Sequence, residues 1–226
     1  MATPPRIRYI TGITGIAGCL AVIIGITLSA IHFEPGTGYS PLNHFISELG
    51  KKSAGKFSDV FNLCLMAGGV LLTLFTLSLG LSMRQKWVAR IATCIGILAT
   101  LSFSMVGYYS ADSWTAHKIA AIVFFSGAMV ATNLFGYVIY KYNTVRWHKT
   151  IAIQSCIITL VYLLIFCWPK DLMVEAVKHP DQFIRPVYWD LTILEWIYST
   201  CICNWIFTTA TAYLLSKPAV HQNQAG

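Results

Sequence analysis

The chain has 226 residues, 56% of them hydrophobic and 11% charged, with a formal net charge of +7. A soluble domain carries about 25% charged residues, so this composition excludes an ordinary water-soluble core and points to apolar surface facing lipid. A nucleic-acid partner is excluded on the same ground: no soluble basic domain accompanies the excess charge, which suits anionic lipid headgroups instead.

A helix needs about 20 predominantly apolar residues to cross a bilayer, and six such runs occur, near 10–31, 60–83, 88–109, 118–140, 150–168 and 191–215. Within hydrocarbon every backbone polar group must be satisfied inside its own segment, so these runs are helices. The first follows Arg6 and Arg8 as a signal peptide would, but at about 22 residues it exceeds a signal h-region of 7–15, and no A-x-A-like cleavage site follows. It reads as a retained span. The fold class is all-α: one polytopic domain of six transmembrane helices.

Charge sets the orientation. Arg6, Arg8, Arg84, Lys86, Arg90, Lys141, Arg146, Lys149 and Lys217 fall at the ends and short loops of one side. Short loops are where the positive-inside rule acts most strongly, so both termini are expected in the cytoplasm. The opposite side carries the carboxylates and two longer loops, near 32–59 and 169–190. Irregular backbone cannot face lipid, so a functional site belongs there.

Within the spans, Gly12, Gly15, Gly18, Gly25, Gly68, Gly69, Gly96 and Gly127 stand at positions suited to close helix contacts. Trp87, Trp114, Trp147, Trp168, Trp189 and Trp196 lie near span ends, as an interfacial aromatic belt does. All seven cysteines fall within the spans. They read as small packing residues.

The first outer loop contains YSPLNHFISELG, residues 39–50. Ser40 suits an N-cap, Pro41 the first helical position and Gly50 the position after a helix end. Leu42, Phe45, Ile46 and Leu49 recur at i, i+3, i+4 and i+7, an amphipathic stripe. The pattern predicts a short extracytoplasmic interfacial helix at about 41–49, with His44, Ser47 and Glu48 sharing a face.

Other polar residues fall at the same level: Asn62 at the start of the second span, Asp112 and His117 between the third and fourth, and Asp190 and Glu195 at the start of the sixth. Glu195 is the one carboxylate inside a predicted span, which makes it a functional-site candidate. Its charge calls for a partner such as His44, His117 or Lys118. No G-x-S-x-G surrounds Ser47. A zinc site built on His44 and His117 is conceivable, but no H-x-x-x-H pair occurs, so no metal and no cofactor are assigned.

Several stretches resemble a known family. YSPLNHFISELG followed by FSDVFNLCLMAGGVLLTLFTLSLGL is similar to the prokaryotic membrane proteins of the domain-of-unknown-function family 998. The Ile46-Ser47-Glu48-Leu49-Gly50 run with Phe61-Asn62-Leu63 also resembles the eukaryotic FRAG/DRAM/Sfk family. AHKIAAIVFFSGAMV from Ala116 and ILEWIY around Glu195 are similar to patterns in the fourth and last helical regions. The resemblance implies about six helices, a prokaryotic plasma-membrane location and a link to lipid handling, and it singles out Ser47, Glu48, Asn62, His117 and Glu195.

Three functional readings remain open. The first is a protein that binds or handles a lipid or its headgroup on the extracytoplasmic side, through His44, Ser47, Glu48, Asn62, Asp112, His117 and Glu195. The second is a membrane-embedded lipid hydrolase or remodelling enzyme, with or without the help of a metal. The third is a non-catalytic subunit of a membrane complex. Membrane lipids are the expected partners.

Overall fold

The computed structural model describes residues 4–36, 38–83, 86–179 and 182–216. Arg84 and Lys217, two of the charges used for orientation, lie outside them. Among the described residues all regular structure is helical. Six long helices occur: α1 (Pro5–Ile31), α2 (Ser58–Ser82), α3 (Trp87–Tyr108), α4 (Trp114–Tyr142), α5 (His148–Cys167) and α7 (Asp190–Leu215), with a short α6 (Asp171–Lys178) before the last. Each long helix covers one predicted span.

Five of the long helices, α1 to α5, are long and apolar enough to cross a membrane. The chain is therefore a multi-pass helical membrane protein. The expected sixth span, α7, is 26 residues long but falls outside that set. Asp190 and Glu195 near its start and Asn204, Thr208, Thr209 and Thr211 near its end dilute its apolar character.

The long helices close into a ring. α1 packs on α2, α2 on α3, α3 on α4, α4 on α5, α5 on α7, and α7 returns to α1. Short connections make consecutive helices antiparallel neighbours. Small residues set the separations. A Cβ on Gly18 of α1 would lie 2.7 Å from Leu72 of α2, and one on Gly15 would lie 2.8 Å from Ala210 of α7. The tightest backbone approach is at Gly107 of α3, where a Cβ would stand 2.6 Å from the carbonyl oxygen of Asn62 in α2. The glycines expected at helix contacts lie at such contacts.

The two ends of the ring differ. At the end holding the start of α1 and the finish of α7, Leu79, Ala89, Val138, Ile139, Ile151 and Tyr213 are buried in one large cluster. Thr11 donates to Ser78 (3.0 Å), and the hydroxyls of Ser82 and Tyr213 are 2.9 Å apart. Asn143 ends α4 in the left-handed region at φ 47°, which asparagine tolerates better than most residues. At the opposite end a smaller cluster of Val22, Ile46, Leu49, Phe61, Leu65, Val106 and Ala120 lies beneath the 39–50 segment.

The predicted α-helix at 41–49 is replaced by a turn at 41–43 and a 3-10 helix at Ile46–Gly50, followed by a second 3-10 turn at Lys52–Ala54. The loop near 169–190 also includes a helix that the sequence did not predict. This is α6, whose charged residues Asp171, Glu175 and Lys178 recur at i, i+4 and i+7. Just before it, Lys170 donates to the carbonyls of Ile165, Phe166 and Trp168 and so caps the end of α5.

Candidate functional site

Residues 39–50 form a cap across one end of the ring, and long-range bonds hold it there. Four successive backbone carbonyls accept from side chains or distant backbone. Leu42 O accepts from Trp189 N (2.8 Å) and Asn43 O from Arg185. His44 O accepts from Trp196 Nε1 (3.3 Å) and Phe45 O from Tyr39 Oη (3.0 Å). A helix would need these same carbonyls for its i→i+4 bonds. The cap therefore adopts a shape dictated by the loop near 169–190 and the start of α7.

Side chains complete the clasp. Arg185 Nη2 lies 3.1 Å from Glu48 Oε1, and Lys51 lies 4.0 Å from the same oxygen. Asn43 Nδ2 donates to Pro186 O (3.1 Å), which turns its Oδ1 toward His44 Nδ1 at 2.7 Å. Phe33 and Tyr39 each sit 5.3 Å from the His44 ring. Burial pushes the His44 pKa down, and nearby Arg185 adds to the effect, so the ring stays neutral at ordinary pH. Burial likewise lifts the Tyr39 phenol above its usual range, with the Glu195 charge contributing; it remains a hydrogen-bond donor.

Beneath the cap lies a cavity of about 70 Å³ along the ring axis. Ile46 and Ser47 of the cap line its mouth, and α1, α2, α3, α4 and α7 supply its walls. The walls are largely apolar, with Phe61, Phe103, Phe124 and Phe125 prominent, and the polar groups are Ser47, His117, Glu195, Ser199, Cys19 and Cys203. A smaller cavity of about 40 Å³ lies further in and shares Leu72, Phe124, Ile202 and Ile206 with the first.

Glu195 joins the cap to the cavity. Its Oε2 accepts the Ile46 backbone N–H at 3.0 Å. Among the described residues no other donor reaches the carboxyl and no cation pairs with it: the ion pairs found there all involve Glu48. The expected pairing of Glu195 with His44, His117 or Lys118 is therefore not formed. His44 is committed to Asn43, Lys118 is exposed, and His117 donates from Nδ1 to Tyr109 O at 2.7 Å, covering the carbonyl end of α3.

A sequence profile described as "Protein of unknown function (DUF998)" matches residues 16–212. The chain belongs to the DUF998 family. No curated protein and no solved structure matches it. The matched stretch includes the cap and every residue of this DUF998 protein that lines the cavity.

The remaining sequence candidates divide into two groups. Ser47, His117 and Glu195 meet at the cavity. Glu48, Asn62 and Asp112 do not line it; they fasten the cap. Asn62 Nδ2 donates to Gly50 O (3.0 Å), and Asp112 Oδ2 accepts from Lys52 N and Ser110 Oγ, both at 3.0 Å. His44 serves the clasp, not the cavity. Ser47 and His117 line the same cavity without a hydrogen bond between them, and among the described residues no three His, Cys, Asp or Glu side chains group as metal ligands.

Arg185, Trp189, Ser199 and the four phenylalanines have no counterpart in the sequence candidates. Trp189 and Trp196 are also not simple belt residues. Trp189 is 4% exposed and sits against Phe45, while Trp196 holds His44 O. An arginine in a loop that also carries Phe183, Tyr188 and Trp189 was the available signal for the clasp.

Proposed function

We propose that this DUF998 protein binds a membrane amphiphile, receiving part of its polar end in the capped axial cavity. In this reading α7 is the sixth span, both termini are cytoplasmic, and the cap faces the extracytoplasmic headgroup layer. The observation that carries it is the Glu195 carboxyl. It sits among apolar walls, holds the cap through one N–H, and has no cation beside it. An ionisable side chain within a bundle is costly unless it serves a site. Ser47, His117 and Ser199 add polar groups at the same level. The clasp of Arg185 on Asn43 and Glu48 sets how readily the cap lifts.

The test is lipid retention. The full chain is purified in mild detergent, and its co-purifying lipid is quantified by native mass spectrometry. At least one lipid per chain is expected. The Glu195→Gln, His117→Ala double variant is expected to lose that lipid while keeping its helical circular dichroism and its elution volume. Equal retention by a folded double variant contradicts the reading.

A further inference from the structure

We propose that the chemical group taken up by the axial cavity is a small primary ammonium, R–NH3+, at the end of a lipid headgroup or of a free amine. This rests on reading the axial cavity as a binding site and narrows what it binds.

Three observations point to this chemistry. The first is charge. Among the described residues Glu195 is the only Asp, Glu, Lys or Arg that lines the cavity, so a phosphate or carboxylate would find no cation there. An ammonium brings N–H donors to the carboxyl and is the partner that favours its ionised form.

The second is the wall. Phe61, Phe103, Phe124 and Phe125 surround the same space. Aromatic faces attract cations, more strongly when water is excluded. A carboxylate set among phenylalanines therefore discriminates in favour of an organic cation over a neutral alcohol of equal size. The remaining polar groups are hydroxyls, thiols and a histidine whose Nδ1 proton is already used on Tyr109 O. None of them opposes a positive charge.

The third is size. A 150 Å³ cavity accommodates benzene, with its six heavy atoms. A cavity of about 70 Å³ accepts roughly three heavy atoms on that scale. An aminoethyl end fits that limit. A trimethylammonioethyl end, with six heavy atoms, exceeds it, and the rest of a phospholipid must stay outside. Primary amines are therefore favoured over quaternary ones.

The experiment uses the full chain in detergent. Phosphatidylethanolamine, phosphatidylcholine and phosphatidylglycerol with identical acyl chains are titrated separately by native mass spectrometry, and ethylamine is titrated by thermal shift. Phosphatidylethanolamine is expected to bind at least tenfold more tightly than the other two. Glu195→Gln keeps an acceptor for Ile46 N–H and is expected to abolish that preference. Ala121→Leu adds side-chain volume to the cavity wall while leaving Glu195 in place and is expected to do the same. Glu175→Gln in α6 is expected to change nothing.

Ethylamine stabilisation that needs Glu195, without lipid binding, supports the ammonium site with a free amine as its source and removes the amphiphile reading. Tight lipid binding with no headgroup preference, unchanged in Glu195→Gln, overturns the ammonium proposal and leaves the amphiphile reading standing. Binding of neither lipid nor amine overturns both.

Discussion

The two ends of this helical ring follow different rules. At the end where α1 begins and α7 finishes, the interior is filled: Leu79, Val138, Ile139 and Ile151 are fully buried, and the polar groups there bond to one another across helices. At the other end the helices stand around a cavity, and an irregular segment closes it through bonds to a distant loop. The first end is held by packing, which acts only in the assembled bundle. The second has a smaller apolar cluster and is fastened by hydrogen bonds and the ion pairs of Glu48, which can break locally. Regions that open for a ligand are drawn from the less stable parts of a protein. Under the proposed reading, the contrast separates a scaffold end from a binding end.

The largest expected effect is on the backbone contact between α2 and α3. Gly107→Leu places side-chain atoms against the Asn62 carbonyl and the Met66 amide, neither of which can rotate away. It should cost more than about 3 kcal/mol and appear as aggregation in size-exclusion chromatography. A stable, monodisperse variant would show that the ring is looser than described.

Leu79→Ala at the filled end comes next. Large-to-small changes in a packed interior cost about 2–5 kcal/mol. Thermal unfolding should move down as a whole, with hydrogen exchange in the cap changed no more than elsewhere. Selective loosening of the cap by this variant would dissolve the distinction between the ends.

Arg185→Ala probes the opposite case. It removes a donor to Asn43 O and the partner of Glu48. Because the guanidinium is partly exposed, the loss should be only about 1 kcal/mol. It should be confined to amides 42–48, with global melting nearly unchanged. A drop in global melting as large as that of Leu79→Ala would mean the clasp supports the bundle.

The smallest effect is on pH. His44 has a lowered pKa in the closed cap, while in an opened cap it returns toward about 6.5. Protons therefore bind the open form first. Cap stability from this ring is fully present above about pH 6.5 and declines as pH falls toward the closed-state value. Exchange of cap amides should quicken below pH 6.5, and His44→Phe should flatten that dependence. The same slope in both would assign it to another group.

Much of the bundle was legible in the sequence because its signal is local. Long apolar runs and glycines at contact positions each act within a few residues of where they are read. The cap was not legible for the opposite reason. Its i, i+3, i+4, i+7 stripe is a genuine helix pattern, and Ile46 and Leu49 are indeed buried. But Trp189, Arg185 and Trp196 take the carbonyls of residues 42, 43 and 44, and these donors lie more than 140 positions away. The site was legible in part. Glu195 stood out as a carboxylate in a predicted span, and Ser47 and His117 line the same cavity. His44, Glu48, Asn62 and Asp112 are near in level but serve attachment, a distinction that spacing alone does not carry. The phenylalanine walls were invisible, because aromatic residues in a membrane helix look alike whether they face lipid or a cavity.

The central claim is that Glu195 seals the cap over the cavity through the Ile46 amide. Hydrogen exchange at that amide tests it directly, in wild type and in Glu195→Ala. Leaving a buried N–H without its acceptor costs about 1–3 kcal/mol. The Ile46 amide should therefore be protected in wild type and exchange about ten- to a hundredfold faster in the variant, while amides in the middle of α2 are unchanged. An Ile46 amide that exchanges freely in wild type, or equally in both proteins, would contradict the account.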